Sequence, residues 1–160
     1  MDDYKKIEVE TAIKYGAVAK GARKSIGDFL LDNDITKPVN VKSNNLDKNN
    51  YSPNIISAKR LINWLNKNNE LYFIFVDYKK TETGIEIIGD SGLIPIHKIS
   101  WDCLTIESQG WGVIQKKKKL KINEEQDLKT FFSDMKKNYE NYITKQEKKF
   151  LKIKNMIKNF

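Results

Sequence analysis

Asp28, Asn40 and Lys42 are the residues of this chain whose types and spacing could do chemistry together. The segment Val39–Ser43 reads as a β-strand, and strand side chains alternate with period two, so Asn40 and Lys42 face the same way. Ile26–Leu31 reads as a second short strand, with Asn33-Asp34 as a turn signal between the two. Such a hairpin would carry Asp28 alongside Asn40 and Lys42. A carboxylate, an amide oxygen and an ammonium converging on one point suit the hydrolysis of a phosphodiester. Mg²⁺ is a hard cation that accepts one or two carboxylates plus carbonyl oxygens while keeping several waters. It polarises the phosphoryl group and lowers the pKa of bound water, and a nearby lysine can orient that water and stabilise developing charge. A second triplet, Asp77-Tyr78-Lys79, follows an apolar strand and would need an upstream acid such as Asp47, which lies in a polar loop.

The elements that must position these residues can be read in outline. Residues 5–20 carry an imperfect helical stripe, with Gly21 as a stop. Asn44–Tyr51 is polar and reads as a loop. Ser52-Pro53 reads as a helix start, Ser as N-cap and Pro at the first helical position, with Ile55, Ala58, Leu61, Ile62 and Leu65 at helical spacing behind it. Leu71–Val76 is a continuous apolar run, as expected of a strand buried on both faces. Gly84–Ile88, Ser91–Ile99, Leu104–Ile106 and Trp111–Gln115 supply shorter strand and turn pieces. Glu124 to about Lys158 is helical, with a possible break at Asn141–Thr144. The expected fold class is therefore α/β or α+β, a mixed β-sheet flanked by helices, in one domain with a basic helical C-terminal segment at about 115–160.

Composition excludes several alternatives. One cysteine, Cys103, rules out an intrachain disulfide and a cysteine-rich zinc site, and one histidine, His97, argues against His-based metal or triad chemistry. No apolar run approaches the length of a membrane span, and the N-terminus lacks the pattern of a signal peptide. A cytoplasmic protein with no membrane partner is expected. The net charge of +8 is localised: residues 115–160 hold 14 of the 29 basic and 6 of the 21 acidic residues, whereas residues 1–114 balance at 15 against 15. A basic end on a neutral body, including the run Lys116-Lys117-Lys118-Lys119, points to a polyanion partner or to a solvated lysine face.

The arrangement Asp28, eleven residues, Asn40-Val41-Lys42 resembles the PD-(D/E)xK nuclease superfamily, in which an acid at the end of one strand works with a (D/E)xK triplet on the next. Here Ile26-Gly27 stands where Pro precedes the acid, and Asn40 takes the place of the second acid. A longer match adds specificity. Pro53-Asn54-Ile55-Ile56-Ser57-Ala58, ten residues after Lys42, is similar to a string at the same distance from the catalytic lysine in type II restriction endonucleases of this superfamily. Ile99-Ser100-Trp101 and the Lys-rich end with Met156-Ile157-Lys158 are similar to later segments. The likeness covers residues 22–67 best.

The resemblance implies a restriction-endonuclease-like fold and Mg-dependent cleavage of double-stranded DNA at a specific sequence. It implies Asp28, Asn40 and the Val41 carbonyl as metal ligands and Lys42 as the catalytic lysine. It places Tyr51, Ser52 and Asn54 at the DNA. A helix N-terminus there would offer N–H groups to phosphates, and Asn can pair bidentately with adenine. Gln109, in the Gly-flanked segment 107–112, is a further candidate for reading bases, though that segment reads equally as a plain hairpin turn. Lys116, Lys117, Lys118 and Lys119 would contact the backbone. Cutting both strands of a palindromic site would require a homodimer. A catalytically inactive DNA-binding protein of the same fold is the alternative that Asn40 leaves open. Glu8 and Glu10 lie on the first helix, which often supplies another carboxylate in the superfamily that the chain resembles, but they read first as a solvated face; Trp101 and Trp111 read as core or satellite-cluster aromatics, His97 as structural or surface, and Cys103 as buried.

Overall fold

The computed structural model describes residues 2–17, 26–48 and 53–160. Among the described residues there are three α-helices and eight strands, and the strands form two sheets. Helix α1 (Asp3–Lys14) opens the chain, and its N-cap Asp2 accepts the Lys5 N–H at 2.7 Å. Strands β1 (Phe29–Leu30) and β2 (Pro38–Asn45) form the antiparallel hairpin expected from the sequence, although β1 is only two residues long and runs directly into a turn of 3₁₀ helix at Leu31–Asn33. That turn is held by Asp32 and Asn33 at φ 52° and 56°, conformations that Asn and Asp tolerate better than most residues.

After β2 come β3 (Asn54–Ser57), α2 (Ala58–Leu65) and the long β4 (Tyr72–Thr81). Strand β4 pairs parallel with β2, Asn40 opposite Phe73 and Lys42 opposite Phe75. Its other edge pairs antiparallel with β5 (Gly84–Asp90) and β6 (Ile94–Pro95). The result is a mixed five-stranded sheet. Strands β3, β8 (Val113–Lys116) and β7 (Leu104–Glu107) form a separate antiparallel sheet with β8 central. Helix α3 spans Leu128–Ile157, with Asp127 as N-cap.

β4 explains its own apolar run. Phe73 and Phe75 point to a core shared with the second sheet, α2 and α3, where Leu61, Ile99, Ile114 and Phe131 are fully buried. Ile74, Val76 and Tyr78 point the other way, against Ile7 and Ala12 of α1 and Val39 and Val41 of β2. With both faces covered, no polar residue is tolerated at positions 73–76. Trp101 and Cys103 are buried as expected, the Trp101 indole donating to the Phe131 carbonyl at 3.1 Å. His97 is half-buried.

Three expectations are corrected. Residues 54–57 are strand, not the first turn of a helix; α2 begins at Ala58, with Ser57 rather than Ser52 as N-cap, its Oγ accepting the Arg60 N–H at 3.1 Å. Ile55 and Ile56 are buried by pairing with β8, a partner about sixty residues away. Helix α3 runs unbroken through Asn141–Thr144 and begins at Leu128 rather than Glu124. Trp111 is not a core residue: it is 71% exposed, at the tip of the β7–β8 connection. Tyr51, Ser52 and the stretch 18–25, including the predicted end of the first helix, lie outside the described residues. Among the described residues, no helix is long and apolar enough to cross a membrane.

Candidate active site

The site is built where the sheet's first hairpin runs out. β1 pairs with β2 at Phe29–Val39 and Leu30–Pro38, and among the described residues no strand pairs with that edge of β2 from Val41 onward. Asp28 fills the gap. Its own N–H donates to the Val39 carbonyl at 2.7 Å, and its carboxylate Oδ2 accepts the Val41 N–H at 2.6 Å. The N–H and C=O of one strand residue leave the same edge, so the Val41 carbonyl opens on the Asp28 side. Gly27 makes this approach possible. A Cβ there would lie 2.8 Å from Pro38 Cβ and 2.9 Å from the Val39 carbonyl oxygen, so the residue before Asp28 must be glycine for the two backbones to close.

Asn40 and Lys42 share a face of β2, as the alternation requires, but their side chains do different things. The Asn40 amide Nδ2 donates to the Ile26 carbonyl at 3.3 Å, tying β2 to the segment that leads into Asp28. Lys42 is partly buried, and burial pulls its pKa below the ordinary lysine value; the negative charges of Asp28 and Glu8 oppose the shift and Arg60 adds to it. Burial pushes Asp28 up, against the Val41 N–H and the positive charges of Lys42 and Lys5.

Two residues join this group that the pattern of the triplet does not contain. Glu8, on α1, sits beside Asp28. Burial and the Asp28 charge raise its pKa, and the Lys5 ammonium lies 3.7 Å away. Its reading as a solvated face is therefore incomplete. Arg60, in the first turn of α2, acts electrostatically on Lys42. It lines a cleft of about 550 Å³ with Lys59, Lys67, Trp64 and Trp111. Glu8 was legible as an acid on a helix preceding the hairpin. Arg60 was legible only as the third residue after Ser57, and its place depends on where α2 starts.

No family model and no curated protein matches this chain. The site therefore stands on its own geometry.

The remaining predicted residues divide. Asn54 and Gln109, 55 residues apart, are brought together: Asn54 Nδ2 donates to Gln109 Oε1 at 3.1 Å, and Gln115 Nε2 donates to Asn54 Oδ1 at 2.6 Å. These amides form an exposed patch on the β3–β8 sheet. Beside it, Lys59 stands over the exposed Trp111 ring at 5.4 Å. The lysine run is less uniform than its sequence. Lys116 ends β8 and donates to the Lys118 carbonyl at 3.2 Å, and Lys117 pairs with Glu107 at 3.2 Å. Tyr78 points into the α1 core, Asp77 accepts from the Asn44 amide at 3.0 Å, and Asp47 accepts the Lys80 N–H.

Among the described residues, no group of three or more His, Cys, Asp and Glu side chains is placed to hold a metal ion. The donors that do converge are the carboxylates of Glu8 and Asp28 and the Val41 carbonyl. All are hard oxygen donors, and Mg²⁺ needs no more than one or two carboxylates when water and substrate oxygens complete its shell. A divalent cation beside Glu8 and Asp28 would favour the charged form of both carboxyls, against the burial that raises their pKa values.

Proposed function

We propose that the protein is a Mg²⁺-dependent endonuclease of the type II restriction class, acting on double-stranded DNA as a homodimer. The observation that carries this reading is the half-buried cluster of Glu8, Asp28 and Lys42 at the edge of β2, with Asp28 fixed at 2.6 Å on the Val41 N–H and the exposed Arg60 acting on Lys42. Asp28, Glu8 and the Val41 carbonyl would hold the metal, with the Asn40 Oδ1 as the remaining candidate ligand. When bound, Mg²⁺ supplies Lewis-acid activation of the phosphoryl group and a more acidic water. Lys42 holds its ammonium at the cluster and stabilises negative charge that develops on the phosphate. Arg60, with Lys59 and Lys67 along the neighbouring cleft, attracts the DNA backbone. The amide patch of Asn54 and Gln109 offers donors and acceptors to base edges.

A second reading has its own support. Asn40 donates to the Ile26 carbonyl, a structural task that a carboxylate could not perform, and an inactive DNA-binding protein of the same fold would keep such a residue. One assay divides the two. Supercoiled plasmid incubated with wild-type protein in Mg²⁺ and in chelator should be nicked or linearised only with the metal. Persistent supercoiled plasmid under both conditions, together with salt-sensitive DNA binding, would establish the inactive reading.

A further inference from the structure

Helix α3 overshoots the body that it packs on. Its first half is held by Phe131 and Met135 in the core, with Tyr139 and Tyr142 packed partly against it. The same face then continues past the body. Ser108 at the β7–β8 connection reaches Gln146 at 3.4 Å, the furthest such tether along the helix. Beyond it, large apolar side chains stand in solvent: Phe150 is 66% exposed, Ile153 52% and Ile157 65%. Ile143, Gln146, Phe150, Ile153, Ile157 and Phe160 recur at spacings of three, four, three, four and three residues. This is the 3.5-residue seam that a second helix fills by knobs into holes.

We infer that this stripe is a self-association surface, on which the C-terminal helix of a second copy lies antiparallel. The charges choose both the occupant's identity and its direction. In the antiparallel register centred between residues 150 and 153, Gln146 meets Ile157 of the second copy and Phe150 meets Ile153. Each layer is then repeated by the two-fold axis, giving four helical layers over about 17 Å, with Phe160 just past the helix end. The same register sets Glu147, the one acid among residues 143–160, beside Lys154 of the other copy. The parallel alternative instead brings Lys149 against Lys154 across the seam, a like-charge contact that disfavours it. The antiparallel pair also sends each helix end back to the other copy's body, covering Ile143, which is 43% exposed. The stripe thus supplies a surface for the homodimer invoked above, but the inference needs neither DNA nor metal and fails or stands independently of the nuclease reading.

The experiment is sedimentation of the full-length protein, without DNA or metal, over roughly 1–300 µM, the range expected for a small apolar interface. A concentration-dependent doubling of mass is expected, abolished in Phe150→Glu. Glu147→Lys and Lys154→Glu should each weaken the dimer at least about fivefold, roughly 1 kcal/mol, and the double variant should restore it. Phe150→Cys/Ile153→Cys should form a disulfide-linked dimer on oxidation, whereas Phe150→Cys alone should not. A monomer throughout would overturn the proposal. So would a dimer insensitive to Phe150→Glu, no rescue by the double charge reversal, or efficient crosslinking by Phe150→Cys alone. All these positions are exposed, so the substitutions leave the core intact.

Discussion

The edge of β2 and the C-terminal helix use charge in opposite ways. At the β2 edge, Glu8, Asp28 and Lys42 of a net-neutral body are drawn partly out of water, and their pKa values move because of it, while the exposed Arg60 adds its charge from α2. From residue 115 onward the chain carries the entire +8 excess, and most of α3 beyond Tyr142 lies in solvent. Desolvated, mutually interacting charges are the kind that perform chemistry. Solvated charges of one sign steer and hold a polyanion. Under the proposed function, turnover would belong to the first region and affinity to the second, and each could be broken without the other.

The largest effect belongs to the first region. Asp28→Ala removes a carboxylate from the metal donors and also leaves the Val41 N–H unpaired, so Mg²⁺-dependent plasmid cleavage should fall below detection. Binding to random duplex in Mg²⁺-free buffer should stay within about threefold, because affinity comes from many separate phosphate interactions. A simultaneous collapse of cleavage and binding would mean that the two regions do not divide the work. Smaller and distributed is the effect of the lysine run. Neutralising Lys116–Lys119 should weaken binding to every sequence alike and flatten the log–log salt dependence by roughly 0.9 for each phosphate that is no longer neutralised. Because Lys116 and Lys117 already have partners within the fold, the change in slope should correspond to about two phosphates rather than four. An unchanged slope would make the run a solvated face.

The smallest effect is on stability. Burial raises Glu8 and Asp28 above their ordinary values of 4.5 and 3.8, with the Asp28 charge adding to the shift of Glu8, so the folded protein binds more protons than the unfolded chain between those values and the shifted ones. Their contribution to stability is therefore fully present below the ordinary values and is lost as pH rises through the shifted ones. Thermal melts of wild type and Glu8→Gln between pH 4 and pH 7 should show a flatter dependence in the variant, which has one titrating carboxyl fewer and no like charge facing Asp28. Parallel curves would mean that Glu8 is not coupled to Asp28.

What could be read from the sequence follows the range of the interactions that decide each element. Leu71–Val76 and Val39–Ser43 declared themselves as strands because their burial pattern is local. Asp28 and Lys42 followed, since period two and one turn suffice to relate them. Pro53–Ser57 was misread as helix because it carries a capping signal and helical spacing, while the decisive partner, β8, lies about sixty residues on; tertiary pairing overrides local propensity there. Ser57, three residues before Arg60, is also an N-cap residue type, and only the pairing of β3 with β8 selects it as the start of α2. Trp111 was misjudged because exposure at a hairpin tip has no periodic signature. Glu8 was seen but set among solvated acids, since only packing of α1 against β2 brings it to Asp28.

The division of labour is tested most directly by Lys42→Ala measured two ways on one duplex. Single-turnover cleavage in Mg²⁺ should fall by about three orders of magnitude or more, as expected for removing a preorganised charge at the reacting phosphate, while the dissociation constant measured in Ca²⁺ changes less than about threefold. Cleavage by the variant at the wild-type rate would contradict the assignment of this cluster as the active site.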